Sequence, residues 1–423
     1  MIKNYNYFFF EKIPSILIIL LPITLISGPF LSDLSVSIIA ILFIAYLIKK
    51  KDFSFINHKF TKIFLIFWLY ILINSFLINN SVGAIKISLF YFRFLFFCLS
   101  FAYLLEKNIN LLKNLFFSFL FSFILLIIDG YFQYFSGYNL LGLKLPDGPR
   151  VSSFFGDELI LGSYLSRLFP IFFGLTIFLY KEEKKKILIT SLIFVLIESL
   201  VFLSGERVAF FYLNLSAIFT ILFIKDFKRL RIITLFFSFI IIILITLYDD
   251  GAKKRILDVT LDQMGFSKND SGVTGKYIFS QEHNDQYLTA INMFKDKPLF
   301  GLGIKGFRKN CNDQKYIHGN YGCTTHPHNT YLQLLAETGF LGFIILFYVF
   351  SIFSIYMFKH FLKILKKKSL FSDFEICLLS AIFITIWPIS PTGNFFNNWL
   401  SVIYYFPVGI LLWSIRKKLI KSN

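Results

Sequence analysis

The chain has 423 residues, is 56% hydrophobic, has a mean hydropathy of +0.67 and carries a formal charge of +18. That balance excludes an ordinary soluble domain, which carries more charge and shorter apolar runs. It also excludes an outer-membrane barrel, whose strands alternate apolar and polar residues, and the basic excess is too dispersed for a nucleic-acid surface.

Apolar runs long enough to cross a hydrocarbon core of ~30 Å recur from end to end. Lipid gives the backbone no hydrogen-bond partners, so these runs must be helical. The expected fold is therefore all-α, a polytopic membrane protein of about twelve transmembrane helices. Spans are predicted at roughly 13–31, 33–48, 62–78, 85–105, 114–134, 159–180, 187–204, 208–224, 232–248, 331–358, 374–392 and 397–415. About nine spans thus fill 1–248, a polar loop with short helices occupies 249–330, and about three more fill 331–423. The first follows Lys3 and Lys12 as a signal peptide would, but no small-residue cleavage pattern comes after it, so it is read as a retained helix.

Basic residues set the orientation. Alternate connections carry Lys49–Lys51, Lys107 and Lys113, Lys184–Lys186, Lys225 to Arg231, and Lys359 to Lys368. The opposite short connections hold only Lys86, Lys144, Arg150 and Arg207. Both termini are expected in the cytoplasm, with 135–158 and 249–330 outside, and membrane lipid is the partner the basic residues imply.

Charge inside a span needs a reason. Arg93, Asp129, Arg167, Glu198 and Glu337 all fall in the outer halves of their predicted helices. Acid–base pairs stapling helices together would explain any one of them. Their confinement to one leaflet suggests a polar cavity open to the outside. Arg150 lies in a turn-rich stretch before a span, and Arg207 follows the tight turn Ser204-Gly205-Glu206. Such arginines serve as lipid-headgroup anchors or, facing the same side as the long loop, grip a diphosphate with their planar forks.

In the loop, 249–275 has weak structural signals, whereas Tyr287, Leu288, Ile291 and Phe294 are spaced for one face of a short helix. Gly301, Gly303 and Gly306 spell G-x-G-x-x-G with no strand–turn–helix unit around them. The stretch is either a flexible turn or a loop whose amides approach phosphate, with Lys305 beside it. Cys311 and Cys323 share the oxidising side and form a candidate disulfide, or remain free thiols; Cys98 and Cys377 read as apolar filler.

The densest signal is His326-Pro-His328-Asn329, followed by Thr330 and Gln333, which fit a capping box opening a helix. His328 then stands just ahead of a helix N-terminus, where anions are favoured and imidazolium is not. A neutral histidine there suits proton acceptance from a hydroxyl. A structural histidine pair and half a metal site are the alternatives, although no ligand set completes the latter.

At these residues the chain resembles the bacterial O-antigen ligase and Wzy-type O-antigen polymerase superfamily. The segment Thr325-His326-Pro327-His328-Asn329-Thr330-Tyr331 through Glu337 and Gly339 is similar to its hallmark, and Pro298 to Gly303, Gly205-Glu206-Arg207 and Arg150 to Gly156 are similar to further family patterns. The likeness runs at motif level from about 145 to 345. It implies a GT-C-like membrane fold with one large periplasmic loop. It implies transfer of a glycan from undecaprenyl diphosphate without metal, nucleotide or other cofactor. The acceptor would be lipid A–core or a second lipid-linked glycan, and the site would sit at the periplasmic face of the inner membrane. The family histidine maps onto His328 and a family arginine onto Arg207. A second loop arginine has no counterpart by motif: His283 stands where it is expected, with Arg255 further upstream.

The mechanism expected from both lines places Arg150 and Arg207, joined by Lys305 or Arg93, on the diphosphate, and His328 on the acceptor hydroxyl. His326, Asn329, Glu337, Gly301 and Gly303 complete the predicted binding set. A ligase acting on protein is a further variant. Rival functions are a polyisoprenoid-glycan flippase, which needs polar residues in both leaflets, and a non-catalytic assembly partner, which does not need His328.

Overall fold

The computed structural model describes residues 7–79, 81–146, 150–266 and 276–422. Among them the fold is all-helical, with an isolated bridge between Tyr138 and Lys144 and no strand. The main helices are α1 (Ile13–Thr24), α2 (Pro29–Lys50), α3 (Lys59–Leu77), α4 (Val82–Lys107), α5 (Leu111–Ser136), α6 (Leu161–Tyr180) and α7 (Lys184–Leu203). They continue as α8 (Arg207–Phe223), α9 (Lys228–Tyr248), α10 (Gln281–Asp296), α11 (Thr330–Leu365), α12 (Asp373–Thr385) and α13 (Asn398–Ser422).

Nine described helices are long and apolar enough to cross a membrane: α2 to α7, α9, α11 and α13. The helices α1, α8 and α12 stand where spans are predicted but hold only 12, 17 and 13 residues. Gly28, in a backbone conformation L side chains rarely adopt (φ 111°), separates α1 from α2 before the sequence expected the first span to end. The predicted span 374–392 also stops early, because α12 ends at Thr385 and 386–397 is irregular.

Side-chain contacts sort the connections into two ends. At one, Arg416 meets Glu106 and Ser54, Lys181 meets Asp226, and Lys418 meets Glu375. At the other, Arg93 reaches Asp33 and Asn398, and Trp399 donates to the Leu25 carbonyl at 2.9 Å. Helices therefore run up and down, as the alternating basic connections require. The centre is α6, buried along nearly its whole length among α5, α7, α8 and α12. Phe236, Phe237 and Ile243 on α9 and Phe347 and Tyr348 on α11 point outward, an apolar exposure suited to lipid.

The long loop builds a small core against α11: Ala290 and Met293 of α10 with Phe307, Cys311 and Tyr316 of the loop and Ala336 of α11. The buried face of α10 is thus Asp285, Gln286, Thr289, Ala290 and Met293, not the predicted row of Tyr287, Leu288, Ile291 and Phe294. The polar Thr289 faces inward because its neighbours are loop backbone, with the His318 amide donating to its hydroxyl at 3.0 Å. Cys311 and Cys323 are joined, their Cα atoms 4.8 Å apart.

A glycine clasp fastens this loop to α11. The helix breaks at Gly339 (φ 64°), and the freed amide of Phe340 donates to the Pro298 carbonyl at 2.8 Å. The Leu302 amide donates to the Ala336 carbonyl at 2.9 Å, and Asn74 and Asn79 donate to the carbonyls of Phe300 and Ile304, both at 2.7 Å. A side chain on Gly301 would come within 2.6 Å of the Glu337 backbone, so glycine is needed there for close approach.

Candidate functional site

The turn between α7 and α8 organises one half of the site. Glu206 accepts from the Gly162 and Ser163 amides at 2.5 and 3.0 Å and from the Ser163 hydroxyl at 2.8 Å, capping the first turn of α6. Gly205 takes a left-handed φ of 67° and leaves room for arginines that flank it: a side chain there would lie 3.1 Å from Cγ of both Arg150 and Arg255. Arg150 Nε donates to the Ser204 carbonyl at 3.1 Å. Arg255 arrives on the helical run 250–263, whose Thr260 hydroxyl accepts from Arg207 Nη1 at 3.1 Å.

The charges of Arg255 and Arg150 both act on Arg207, with Glu282 opposing them. Burial and the Arg255 charge draw the Arg150 guanidinium below its ordinary range, against Glu206. Among the described residues none of the three arginines has a carboxylate within ion-pairing distance. Arginines gathered without a direct ion pair, with Glu206 and Glu282 only nearby, form a receptor for an anion.

Histidines form the other half. Asn329 caps α11, its carbonyl oxygen accepting from the Tyr331 and Leu332 amides, both at 3.0 Å, while its amide donates to the Pro388 carbonyl at 2.9 Å. The cap is therefore Asn329 and not the predicted Thr330, whose hydroxyl meets that of Thr392 at 2.9 Å; Gln333 turns to the Phe395 amide and to Glu337. His328 is held at φ 47°, where a non-glycine residue is strained, and the Thr392 amide donates to its carbonyl at 2.8 Å.

The His328 ring lies 4.1 Å from that of His326 and 5.7 Å from that of His283, centroid to centroid. Burial lowers the His328 pKa. Burial, then the His328 and Arg207 charges, push His283 down to about 4; burial and His328 take His326 to about 3. All three rings are thus neutral at pH 7. Nδ1 of His283 meets the Ser280 hydroxyl at 2.7 Å and Nδ1 of His326 the Thr325 hydroxyl at 2.9 Å. Among the described residues, no three His, Cys, Asp or Glu side chains are placed to hold a metal ion.

Of the predicted residues, the structure brings together Arg150, Arg207, His326, His328 and Asn329. It places the others apart. Lys305, Gly301 and Gly303 belong to the clasp, where the Lys305 ammonium lies against Gly83 and the Lys305 and Phe307 amides serve Glu337. Glu337 is buried and also accepts from Gln333 at 3.0 Å. Arg93 spends its fork on Asp33 at 2.6 and 3.0 Å and on Asn398 at 2.9 Å, stapling α2, α4 and α13. Asp129 is satisfied by Ser153 and the Leu140 amide, whereas Glu198 meets Ser238 through one oxygen and leaves the other without a hydrogen-bond partner among the described residues. Of the one-sided charges, Arg93 and Glu198 thus link separate helices, while Asp129 and Glu337 fasten loops to helices.

The structure adds two features. Arg255, named from the sequence only as an upstream alternative in a stretch of weak structural signals, joins the arginines. The segment 386–397 buttresses His328; Pro388, Pro391 and Gly393 are turn residues that mark it as irregular.

Residues 191–347 match the O-antigen ligase family model. The matched stretch runs from α7 into α11 and takes in Arg207, Arg255, His283, His326 and His328, while Arg150 lies ahead of it. The match supports the O-antigen ligase superfamily likeness that the histidine motif carries, and with it an O-antigen-ligase-type enzyme acting on lipid-linked glycan. The many apolar helices make such a protein integral to the membrane. A comparison with curated proteins returns no match.

Proposed function

We propose that the protein is a metal-independent O-antigen ligase-type glycosyltransferase of the bacterial inner membrane, with both termini cytoplasmic and its site periplasmic. In this reading all twelve predicted helices cross the membrane, the three shorter ones included. The donor is a glycan on undecaprenyl diphosphate, and the acceptor is a hydroxyl of lipid A–core or of a second lipid-linked glycan. The observation that carries the proposal is the meeting of three unpaired arginines, Arg150, Arg207 and Arg255, with three neutral histidines around His328.

The arginines hold the donor diphosphate. The acceptor oxygen attacks the anomeric carbon while a nitrogen of His328 takes its proton. The bond from that carbon to the phosphate oxygen breaks, and its electron pair leaves with the lipid diphosphate, whose growing charge the guanidinium groups stabilise. General-base help is worth ~10²–10⁴-fold.

The test is a gel profile of surface glycan and lipid-linked intermediates in a deletion strain carrying wild type or His328→Ala. Long glycans stranded on undecaprenyl diphosphate with bare lipid A–core mark a ligase. Single repeat units on the core mark a polymerase. Full rescue by His328→Ala would remove the catalytic assignment.

A further inference from the structure

Arg167 lies in α6, the most buried helix, and only 4% of it is exposed. Its guanidinium sits between the rings of Tyr212 and Tyr404, 4.7 and 5.6 Å from their centroids. Its Nε and Nη1 have no hydrogen-bond partner, and among the described residues no carboxylate pairs with it. The buried hydroxyl of Tyr404 lacks a partner as well. Arg93 shows what a helix-stapling arginine looks like in this protein, with every contact filled. A guanidinium removed from water and left without a counter-ion is costly, and stacking on tyrosine offsets only part of that cost.

Tyr404 is also a wall of something else. An apolar cavity of about 330 Å³ runs between α3, α11, α12 and α13, lined by Phe64, Ile345, Ile386, Phe395 and Tyr404. Its lining includes Thr330, two residues beyond His328, and runs past Ile352 and Val408 to Phe60, in the first turn of α3. A channel that starts beside the histidines and follows the helices inward suits a hydrocarbon chain and not a sugar. Tyr212, on the other face of Arg167, lies five residues into α8 from Arg207. The unpaired cation thus stands between the arginine–histidine site and the apolar channel.

We propose that this channel seats the polyisoprenyl chain of the substrate lipid, and that Arg167 and the Tyr404 hydroxyl bind an oxygen of its phosphate head group. Arg167 is thereby a second anion contact, one layer deeper than Arg150, Arg207 and Arg255. The inference rests on the glycan-transfer reading above. A guanidinium matches phosphate oxygens in plane and satisfies both of its idle nitrogens at once. No bond is made or broken at Arg167; it holds the lipid while chemistry proceeds above it.

The experiment is binding of a fluorescent long-chain polyisoprenyl diphosphate to the full-length protein in nanodiscs, with inorganic diphosphate and phosphatidylglycerol as competitors. Arg167→Gln is expected to weaken lipid binding by about 10- to 100-fold, and Arg167→Lys to restore part of the loss. Ile386→Trp, which fills the channel without touching Arg167, is expected to weaken the polyisoprenyl lipid while sparing inorganic diphosphate. Melting temperatures alongside wild type identify variants that merely unfold. Binding by folded Arg167→Gln within about twofold of wild type, or equal competition by phosphatidylglycerol, would overturn the proposal. Retained transfer by His328→Ala would instead sink the catalytic reading and leave these binding results standing.

Discussion

Gly205 has no side chain, and two arginines use the space one would fill. Gly205→Ala is expected to crowd Arg150 and Arg255 and to strain a left-handed backbone by about 1–3 kcal/mol. Transfer should drop sharply in protein whose helix content is unchanged. Arg255→Gln is expected to lower transfer about as much as Arg207→Gln, on the order of 10–100-fold, as measured with purified protein and lipid-linked glycan. The pH profile follows from His328, whose pKa burial holds below 6.5. Its ring is free to accept a proton above that value, so transfer should be flat through neutrality. It should fall only as acid protonates the imidazole, below the ordinary histidine range. A rate that rose on acidification would contradict the role. The sequence made His328 and Arg207 legible because their local motifs are dense, whereas it offered Arg255 only as an upstream alternative to His283, and its place appears in space, where a helical run folds it back over a turn some fifty residues earlier.

The elements show where periodicity misleads. Spacing along α10 pointed to Tyr287, Leu288, Ile291 and Phe294 as the packed row, but that helix rests on loop backbone, and its buried face mixes threonine and aspartate with alanine and methionine. The glycine-rich stretch offered either a flexible turn or an anion cradle; its glycines instead allow a loop to lie against a helix break. Gly301→Ala is expected to loosen this clasp and lower the thermal stability of the loop, since a methyl group would meet the Glu337 backbone at 2.6 Å. Acid should act on the same region. His283 and His326 have folded pKa values of about 4 and about 3, below 6.5. The unfolded chain therefore gains protons from pH 6.5 downward while the folded loop refuses them, so loop stability falls across that window. Protection factors in α10, taken relative to the intrinsic exchange rate at each pH, should fall between pH 7 and 4, and protection that held constant would argue against it.

At the scale of the molecule, the sequence was most informative. Apolar length located the helices of the bundle, nine of which among the described residues are long and apolar enough to span, because lipid permits no other solution for a backbone. It erred at the ends: proline and glycine after α12 close a helix that hydropathy alone carries onward, and the turn this makes supports the histidine. The basic connections predict the orientation, and surface labelling checks it. A cysteine at Lys309 should react with a membrane-impermeant maleimide in intact cells stripped of their outer membrane, and one at Lys185 only after permeabilisation. The reverse pattern would put the proposed site in the cytoplasm.

The three arginines around Gly205 come from three separate stretches of chain, and among the described residues none makes a direct ion pair with a carboxylate. Such a receptor does not discriminate between the start of a reaction and its end. The lipid diphosphate released by transfer carries more negative charge than the one that arrived, so the centre grips its product more firmly than its substrate. Turnover in such an enzyme is governed by departure. A fast first round followed by a slow steady rate, with added polyisoprenyl diphosphate as an inhibitor, is its expected kinetic signature, and whatever clears that lipid from the membrane would set the pace of glycan export.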